Sequence, residues 1–308
     1  MVDVEHDDTL PSTLYHYTTF NVLQSIYENG EFWTTNSRYL NDITETELGP
    51  KAIIETLRER EQSANDEITK YLDSIPEAPL NQEDKDHLRS ISERRNLWTE
   101  LRDVCGQALR DTSCFIFSLS QEADQLSQWR AYAKDGVCIG FSTTELLESI
   151  RQAPVQSVDM RHVQYFDGRK RVVEFLDPII DRTLQRRDEL IRDGCDALSV
   201  RNSLLGQEML LKIAFLKDIN FIEEGEVRIA ALGVPNHFTP NRYGLVPRIK
   251  IPITAHAIQS VIVGPGAHSE LRCQSLDAYF LHQPFNKDPL FGPAEIDLYE
   301  SAVPYRDW

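Results

Sequence analysis

Long apolar segments are missing from this chain of 308 residues. None of its hydrophobic runs approaches the roughly 20 residues that a helix needs to cross a bilayer. The N-terminal stretch, MVDVEHDDTLPSTLYHYTT, also lacks the basic and apolar regions of a secretory signal. We therefore expect a cytoplasmic protein without a membrane-spanning segment.

Cysteine is scarce, and no CxxC spacing occurs. An odd number without such pairs argues against a disulfide framework and against a cysteine zinc site. The histidines show no HxH, HExxH or other metal-ligand spacing, and there is no Walker, GxSxG or kinase motif. We expect buried thiols and no bound metal. The cysteines are Cys105, Cys114, Cys138, Cys195 and Cys273.

Basic residues are outnumbered: 32 Lys and Arg stand against 49 Asp and Glu, which gives a net charge of −17. This charge repels phosphate backbones, so it disfavours non-specific binding to nucleic acid or to an anionic membrane. The composition that is present, 41% hydrophobic and 26% charged, is typical of a globular protein with a buried core. Without a linker or an internal repeat, one domain over residues 1–308 is predicted.

Apolar, aromatic and β-branched runs predict strands, and helical spacing predicts helices between them. The fold class is therefore α+β, with large helical insertions at about residues 50–112 and 169–217. These insertions are candidate docking surfaces for a partner protein. The predicted strands are Leu14–Thr18, Glu31–Thr35, Cys114–Ser120, Gly136–Phe141, Val163–Phe166, Phe221–Ala231, Val246–Ile253 and Ile258–Val263, and helices are predicted from Phe20 to Gly30 and through Ser127–Tyr132.

Three ionisable residues alternate near the start of one predicted strand. Glu224 and Glu226 flank Gly225, and Arg228 follows, so period-two alternation places the three side chains on one face. If that face is buried, the charges perturb one another and form a candidate site. If it is exposed, the same pattern is an edge strand protected by charge.

Aromatic residues surround a second candidate. His16 lies between Tyr15 and Tyr17 in a predicted strand, so its side chain faces the opposite side from both. A histidine in such a strand is also an ordinary core residue. Trp129 and Tyr132, three apart on a predicted helix, form either an aromatic wall or simple core packing.

Asn41 and Asp42 follow the second predicted strand in a turn-rich segment. Their side chains either bind a polar ligand group or cap the turn through side chain to backbone hydrogen bonds.

The order of these motifs resembles a bacterial family known as domain of unknown function 2971. Members open with a Tyr-His or Tyr-Lys strand, here Tyr15-His16, and continue with an Asn-Asp-Pro turn, here Asn41-Asp42 without the proline. A serine-rich strand, a Trp-x-x-Tyr helix and a glycine-ending strand follow, here Phe117–Ser120, Trp129–Tyr132 and Gly136–Phe141. The last motif is a lysine and then Glu-x-Glu-x-Arg, here Lys217 and Glu224–Arg228.

The chain also resembles, more loosely, the ADP-ribosyltransferases. Their split sheet has a histidine on the first strand, an aromatic residue on a middle element and a glutamate on a late strand, and His16, Tyr132 or Trp129, and Glu226 follow in this order. The resemblance implies a mixed, mostly antiparallel split sheet. It also implies NAD as the substrate, no metal, and a role as a toxin or anti-phage defence effector.

Specific roles follow from this resemblance. His16 would hydrogen-bond a ribose or the carboxamide of NAD, and an aromatic face would stack on the cationic nicotinamide ring. Glu226 would stabilise the oxocarbenium-like state as the glycosidic bond breaks, and Glu224 would orient or deprotonate the acceptor. The remaining candidate binding residues are Tyr15, Tyr17, Ser37, Asn41, Asp42, Ser118, Trp129, Tyr132 and Arg228.

Two alternatives remain open at this point. The first is a non-catalytic binding or scaffold module, in which the Glu224, Glu226 and Arg228 face is structural. The second is a metal-dependent nuclease of the restriction-endonuclease type, because Glu226-Val227-Arg228 is similar to a Glu-x-Lys triplet and Asp218 lies upstream. A nuclease of that type would hold a divalent cation through oxygen ligands.

Overall fold

The computed structural model describes residues 4–6, 9–40, 43–75, 79–194, 206–242, 244–283, 285 and 296–304. The chain divides into two compact units. The first comprises Met1–Asn41, Cys114–Tyr165 and Lys217–Trp308, and the second comprises Asp42–Ser113 and Phe166–Leu216.

The first unit is built on a sheet that has eleven strands in the described part of the chain. Its pairs are antiparallel except for β1 with β6 and β12 with β13. The strands are β1 (Val4–His6), β2 (Thr13–Thr18), β3 (Glu31–Asn36), β4 (Cys114–Ser120), β5 (Val137–Ser142), β6 (Ser157–His162), β9 (Glu226–Leu232), β10 (His237–Asn241), β11 (Gly244–Pro252), β12 (Ile258–Val263) and β13 (Asp297–Glu300). A separate two-stranded sheet pairs β7 (Gln164–Phe166) with β8 (Leu216–Asp218).

Four helices accompany the sheet of the first unit: α1 (Phe20–Asn29), α4 (Leu126–Tyr132), α5 (Thr143–Arg151) and α8 (Ser269–His282). Local chemistry sets the bounds of α1. The Thr19 side chain accepts a hydrogen bond from the Val22 backbone and caps the start of the helix. Gly30 ends it with a φ of 63°, a left-handed conformation that favours glycine.

Strand β4 is the point at which the sheet divides. Strand β9 pairs with β4 along its whole length. Along the other edge, β3 pairs with β4 at Phe115 and Ile116, whereas β2 pairs with it at Ser120. In the described registers, Phe117–Leu119 therefore pair only with β9. The two branches are β2-β5-β12-β13 and β3-β11-β10, and we call the gap between them the fork.

One face of this sheet carries the main hydrophobic core. Alternate residues of the central strands, including Phe117, Leu119, Ile139, Phe141 and Val227, pack there in one buried cluster. Burial of apolar area at roughly 25 cal/mol per Å² makes this face the principal source of stability. The opposite face carries both polar and apolar side chains along the same strands.

The second unit is helical, with α2 (Ile43–Ser74), α3 (Gln82–Asp111), α6 (Arg169–Arg192) and α7 (Gly206–Ile213). A capping box starts α3, because Asn81 and Asp84 exchange side chain to backbone hydrogen bonds. Arg60 lies 4.7 Å from the centre of the Trp98 ring and 2.6 Å from Asp177, which joins α2 to α3 and α6. The segments predicted as helical insertions make up most of this unit.

The structure confirms the α+β class and the mixed, mostly antiparallel sheet. The likeness to the ADP-ribosyltransferase fold stays a prediction. The prediction of a strand over Phe221–Ala231 is wrong in its first part, because residues Ile219–Glu224 form a 3-10 helix and the strand begins at Glu226. Among the described residues, no helix is both long and apolar enough to cross a membrane.

Candidate functional site

The turn before β9 sets the geometry of the candidate site. Asp218 starts the 3-10 helix by accepting a hydrogen bond from the Asn220 backbone at 2.9 Å. Gly225 ends it with a φ of 49°, a left-handed conformation. Glu224 therefore lies on the turn and not on the strand face, which corrects the prediction that Glu224, Glu226 and Arg228 share one strand.

Glu226 is a buried carboxylate held by two cations. Its side chain is 4% exposed. Arg228 donates to both of its oxygens, from Nε at 2.8 Å and from Nη2 at 3.0 Å, and Lys217 Nζ lies 2.9 Å from Oε2. Burial by itself would raise the pKa of Glu226, but the charges of Arg228 and Lys217 outweigh it and lower the pKa to about 2.

Lys217 joins this buried carboxylate to a second one. Its ammonium lies 2.6 Å from Glu224 Oε2 as well as close to Glu226, and it sits 4.8 Å from the centre of the Phe221 ring. Lys217 is itself buried. A single cation therefore orients two carboxylates and offsets their mutual repulsion at close range.

Glu224 is the more accessible of the two carboxylates. Its side chain is 16% exposed, and the Tyr132 hydroxyl donates to Oε1 at 2.9 Å. Tyr132 lies at the end of α4 and is 42% exposed. Partial burial and the charge of Glu224 raise the pKa of Tyr132, so its phenol is neutral and donates. We call Tyr132, Lys217, Glu224, Glu226 and Arg228 the charged cluster.

Ser118 lies in the middle of the sheet, beside the charged cluster. It is exposed, although the other six residues of β4 are buried. It lies directly opposite Arg228 in the β4–β9 pair, and its side chain makes a minor contribution to the lowered pKa of Glu226. Residues directly opposite in a sheet share a face, so Ser118 and the charged cluster form one polar surface at the fork.

His16 lies at the fork but faces the other side of the sheet. Its ring packs on Phe117, with the ring centres 4.4 Å apart, and its Nδ1 donates to the Ser118 carbonyl oxygen at 3.0 Å. Burial lowers the pKa of His16 to about 4, so the ring is neutral at pH 7 and Nε2 is an acceptor. His16 and Glu226 thus lie on opposite faces of the sheet next to Ser118.

The aromatic candidates separate into two groups. Tyr17 and Trp129 are buried against each other, with ring centres 4.9 Å apart, and belong to a small second core. Their polar atoms bond Glu122 and Asp124. Trp129 therefore belongs to the second core and Tyr132 to the candidate site, so the two residues do not form one aromatic wall.

Tyr15 shares the polar face with the charged cluster, because it lies opposite Ser120 and Ser120 lies opposite Glu226. Its Cε1 lies 3.3 Å from where a Cβ of Gly140 would be, so the ring extends over β5.

The structure does not bring Ser37 to the charged cluster. Ser37 begins a 3-10 turn after β3, at the Phe115 end of β4. Asn41 and Asp42 lie outside the described residues, so their predicted roles stay predictions.

Two residues of the site were not among the predicted site residues. Lys217 belongs to the family motif but is not a predicted site residue, and Tyr165 is neither. The Tyr165 hydroxyl accepts a hydrogen bond from the Glu226 backbone at 2.8 Å and fixes the start of β9. A lone lysine between apolar residues, in FLKDINF, was the available signal, because a buried lysine requires a carboxylate partner.

The donor chemistry of this site differs from that of a divalent cation site. Glu226 is already neutralised by Arg228 and Lys217, whereas such a site needs several free oxygen ligands. Among the described residues, no group of three or more His, Cys, Asp or Glu side chains is arranged to hold a metal ion. The charged cluster therefore lacks the free oxygen ligands that the nuclease hypothesis requires.

Comparison with known proteins gives one family. No curated protein and no solved structure matches the chain. A family model described as "Protein of unknown function (DUF2971)" matches residues 128–229, which include the Trp-x-x-Tyr helix, Lys217 and the Glu-x-Glu-x-Arg motif. The resemblance to domain of unknown function 2971 is thus confirmed over residues 128–229.

Proposed function

We propose that this protein is an ADP-ribosyltransferase-like enzyme that uses NAD as its substrate and cleaves the nicotinamide N-glycosidic bond. The observation that supports this proposal is the accessible pair of Tyr132 and Glu224 beside exposed Ser118 at the fork. The pair offers an aromatic ring and a fixed negative charge on one surface. A cationic nicotinamide ring and a developing oxocarbenium ion are stabilised by these two features.

In this proposal Glu224, and not Glu226, faces the reacting sugar. The C1′–N bond breaks, its electron pair leaves with neutral nicotinamide, and the positive charge on the ribose is stabilised by the Glu224 carboxylate. The acceptor hydroxyl or water then attacks C1′ and gives its proton to Glu224. Lys217 and Tyr132 hold this carboxylate in place.

Glu226 and Arg228 are positioning residues in this proposal. The buried Arg228 orients Glu226, Glu226 shares Lys217 with Glu224, and the three fix the accessible carboxylate through a chain of charge-assisted hydrogen bonds. His16 positions Ser118 by its hydrogen bond to the Ser118 carbonyl oxygen. The role of His16 in binding a ribose or the carboxamide stays a prediction.

Release of nicotinamide from labelled NAD tests the proposal. The purified protein is assayed with and without a cell lysate as the source of acceptor. We expect Glu224→Gln to reduce release by at least about a hundredfold, as for loss of a catalytic acid–base group. Glu223→Gln is the matched control, because Glu223 is the exposed neighbour on the same turn, and it should keep full activity.

Two results would contradict the transferase. One is the absence of nicotinamide release under both conditions together with no rise in melting temperature on adding NAD. The other is equal release by wild type and Glu224→Gln.

A non-catalytic binding module is the second candidate, and one observation favours it. Both oxygens of Glu226 are occupied by cations, as in a structural ion-pair network. This hypothesis predicts that Glu226→Gln lowers stability or partner binding. It also predicts that no variant of the charged cluster changes nicotinamide release.

The biological setting belongs to the same proposal. The role of a toxin or anti-phage defence effector in the cytoplasm rests on the family resemblance. A partner protein docked on the helices of the second unit is likewise proposed, because these helices present long charged faces.

A further inference from the structure

A second polar and aromatic surface lies on the β3-β11-β10 branch of the sheet. Trp33 of β3, Arg248 and Lys250 of β11, and His237 of β10 have side chains on one face, because Trp33 lies opposite Lys250 and Arg248 lies opposite His237. All four are partly exposed. We call these four residues the platform.

The aromatic part of the platform is held rigidly. The Trp33 and His237 rings lie 4.5 Å apart, and Lys250 Nζ lies 5.5 Å from the Trp33 ring centre. The indole Nε1 donates to Glu31 at 3.0 Å, and Lys250 pairs with the same carboxylate at 2.6 Å. A fixed, partly exposed indole next to a cation is suited to stacking on a planar heteroaromatic ring.

The guanidinium of Arg248 is also held in place. Its Nε donates to Thr239 and its Nη1 to Thr35, both at 2.6 Å. Among the described residues, its Nη2 has no hydrogen-bond partner. An oriented guanidinium with an available amino group recognises phosphate oxygens.

His237 adds a polar atom without a partner to the platform. Its Nε2 is buried and has no hydrogen-bond partner within the described part of the chain. Burial, and then the charge of Lys250, lower the pKa of His237, which keeps this nitrogen an acceptor or a neutral donor. A buried polar atom without a partner is costly unless a ligand or water satisfies it.

The platform is continuous with the fork. Thr35, which binds Arg248, lies opposite Ile116, and Ile116 is two residues from Ser118 on the same face of β4. Two residues along a strand span about 7 Å. A ligand of dinucleotide length at the fork would therefore reach the platform.

We propose that the platform binds a nucleotide, with the base stacked on Trp33 and His237 and a phosphate held by Arg248. Two sources share this chemistry: the adenylate half of NAD and a single-stranded nucleic acid that serves as the acceptor. Binding of a nucleotide does not require the transferase, whereas its assignment to NAD or to an acceptor rests on the proposed function.

The test measures binding by isothermal titration in the Glu224→Gln background, so that no substrate is turned over. The probes are AMP, NAD and a short single-stranded DNA. We expect Trp33→Leu and Arg248→Gln each to weaken binding of the preferred probe by roughly tenfold or more, as for loss of a stacking base contact. Phe238→Ala is the matched control, since Phe238 is exposed on the same strand as His237 but faces the other side.

The probes separate the two sources. Mutual competition between AMP and NAD assigns the platform to the adenylate half of NAD. Binding of the oligonucleotide that is tighter than that of AMP and falls with salt assigns it to an acceptor strand.

The proposal is overturned if no probe binds, or if Trp33→Leu and Arg248→Gln bind as well as Phe238→Ala. Melting temperatures of the variants show whether each is folded. Nicotinamide release is measured separately on the wild type and on the platform variants with Glu224 intact. This measurement shows whether the transferase proposal fails as well.

Discussion

The two faces of strand β4 carry different chemistry at neighbouring residues. On one face Phe117 and Leu119 pack in the hydrophobic core with the ring of His16 beside them. On the other, Ser118 and Ser120 lie opposite Arg228 and Glu226. On the apolar face, each side chain stabilises the fold through its own burial. On the charged face, a buried ion is tolerated only while its oppositely charged partners are present. Removal of one group should therefore affect the two faces differently.

The largest effect should come from Arg228→Met. This change leaves Glu226 buried without its main cation, and we expect a loss of about 3–5 kcal/mol in the free energy of unfolding. Urea denaturation at pH 7 measures it. Arg130→Met, at an exposed position of α4, should cost less than about 1 kcal/mol. A similar small loss for both variants would show that the charged face does not depend on its pairing.

Acid should then destabilise the charged face over a defined range. The pKa of Glu226 is lowered from 4.5 to about 2 in the folded protein, so its contribution is complete above about pH 4.5 and is lost as the pH falls towards 2. The shift corresponds to about 3 kcal/mol. Unfolding curves from pH 6 to pH 2.5 should show this loss in wild type and not in Glu226→Gln. Identical slopes for the two proteins would contradict the assignment.

The apolar face should respond to acid at higher pH and more weakly. The pKa of His16 is lowered from 6.5 to about 4 by burial, so the unfolded chain takes up a proton first. Stability should fall between about pH 6.5 and pH 4, by about 1–2 kcal/mol once partial exposure is allowed for. His16→Gln should remove this decrease. A decrease of the same size in the variant would place its origin elsewhere.

The sequence predicts the strands of this fold well where local patterns define them. Alternating or largely apolar residues define the strands at Leu14–Thr18 and Cys114–Ser120. Capping by Thr19 and Gly30 sets the two ends of α1. The division of the sheet at β4 is not predictable from these patterns, because it depends on pairings between residues that lie 79 to 105 positions apart in the chain.

The sequence predicts which residues form the site better than it predicts how they are arranged. Glu224 and Glu226 on either side of Gly225 alternate like a strand, and only the left-handed conformation of Gly225 shows that Glu224 belongs to a turn. Lys217 reaches both carboxylates because this turn folds back on β8, which no spacing indicates. The exposure of Ser118 likewise follows from the fork.

The most direct test compares the two carboxylates at the start of β9. The free energy of unfolding and nicotinamide release are measured on the same samples of wild type, Glu224→Gln and Glu226→Gln. We expect Glu224→Gln to stay within about 1 kcal/mol of wild type, because Lys217 keeps its pairing with Glu226 and the amide oxygen can still accept hydrogen bonds, but we expect it to lose release. Glu226→Gln should lose roughly 3 kcal/mol. A Glu224→Gln variant that releases nicotinamide at the wild-type rate, or a Glu226→Gln variant as stable as wild type, would contradict this division between a reactive and a structural carboxylate.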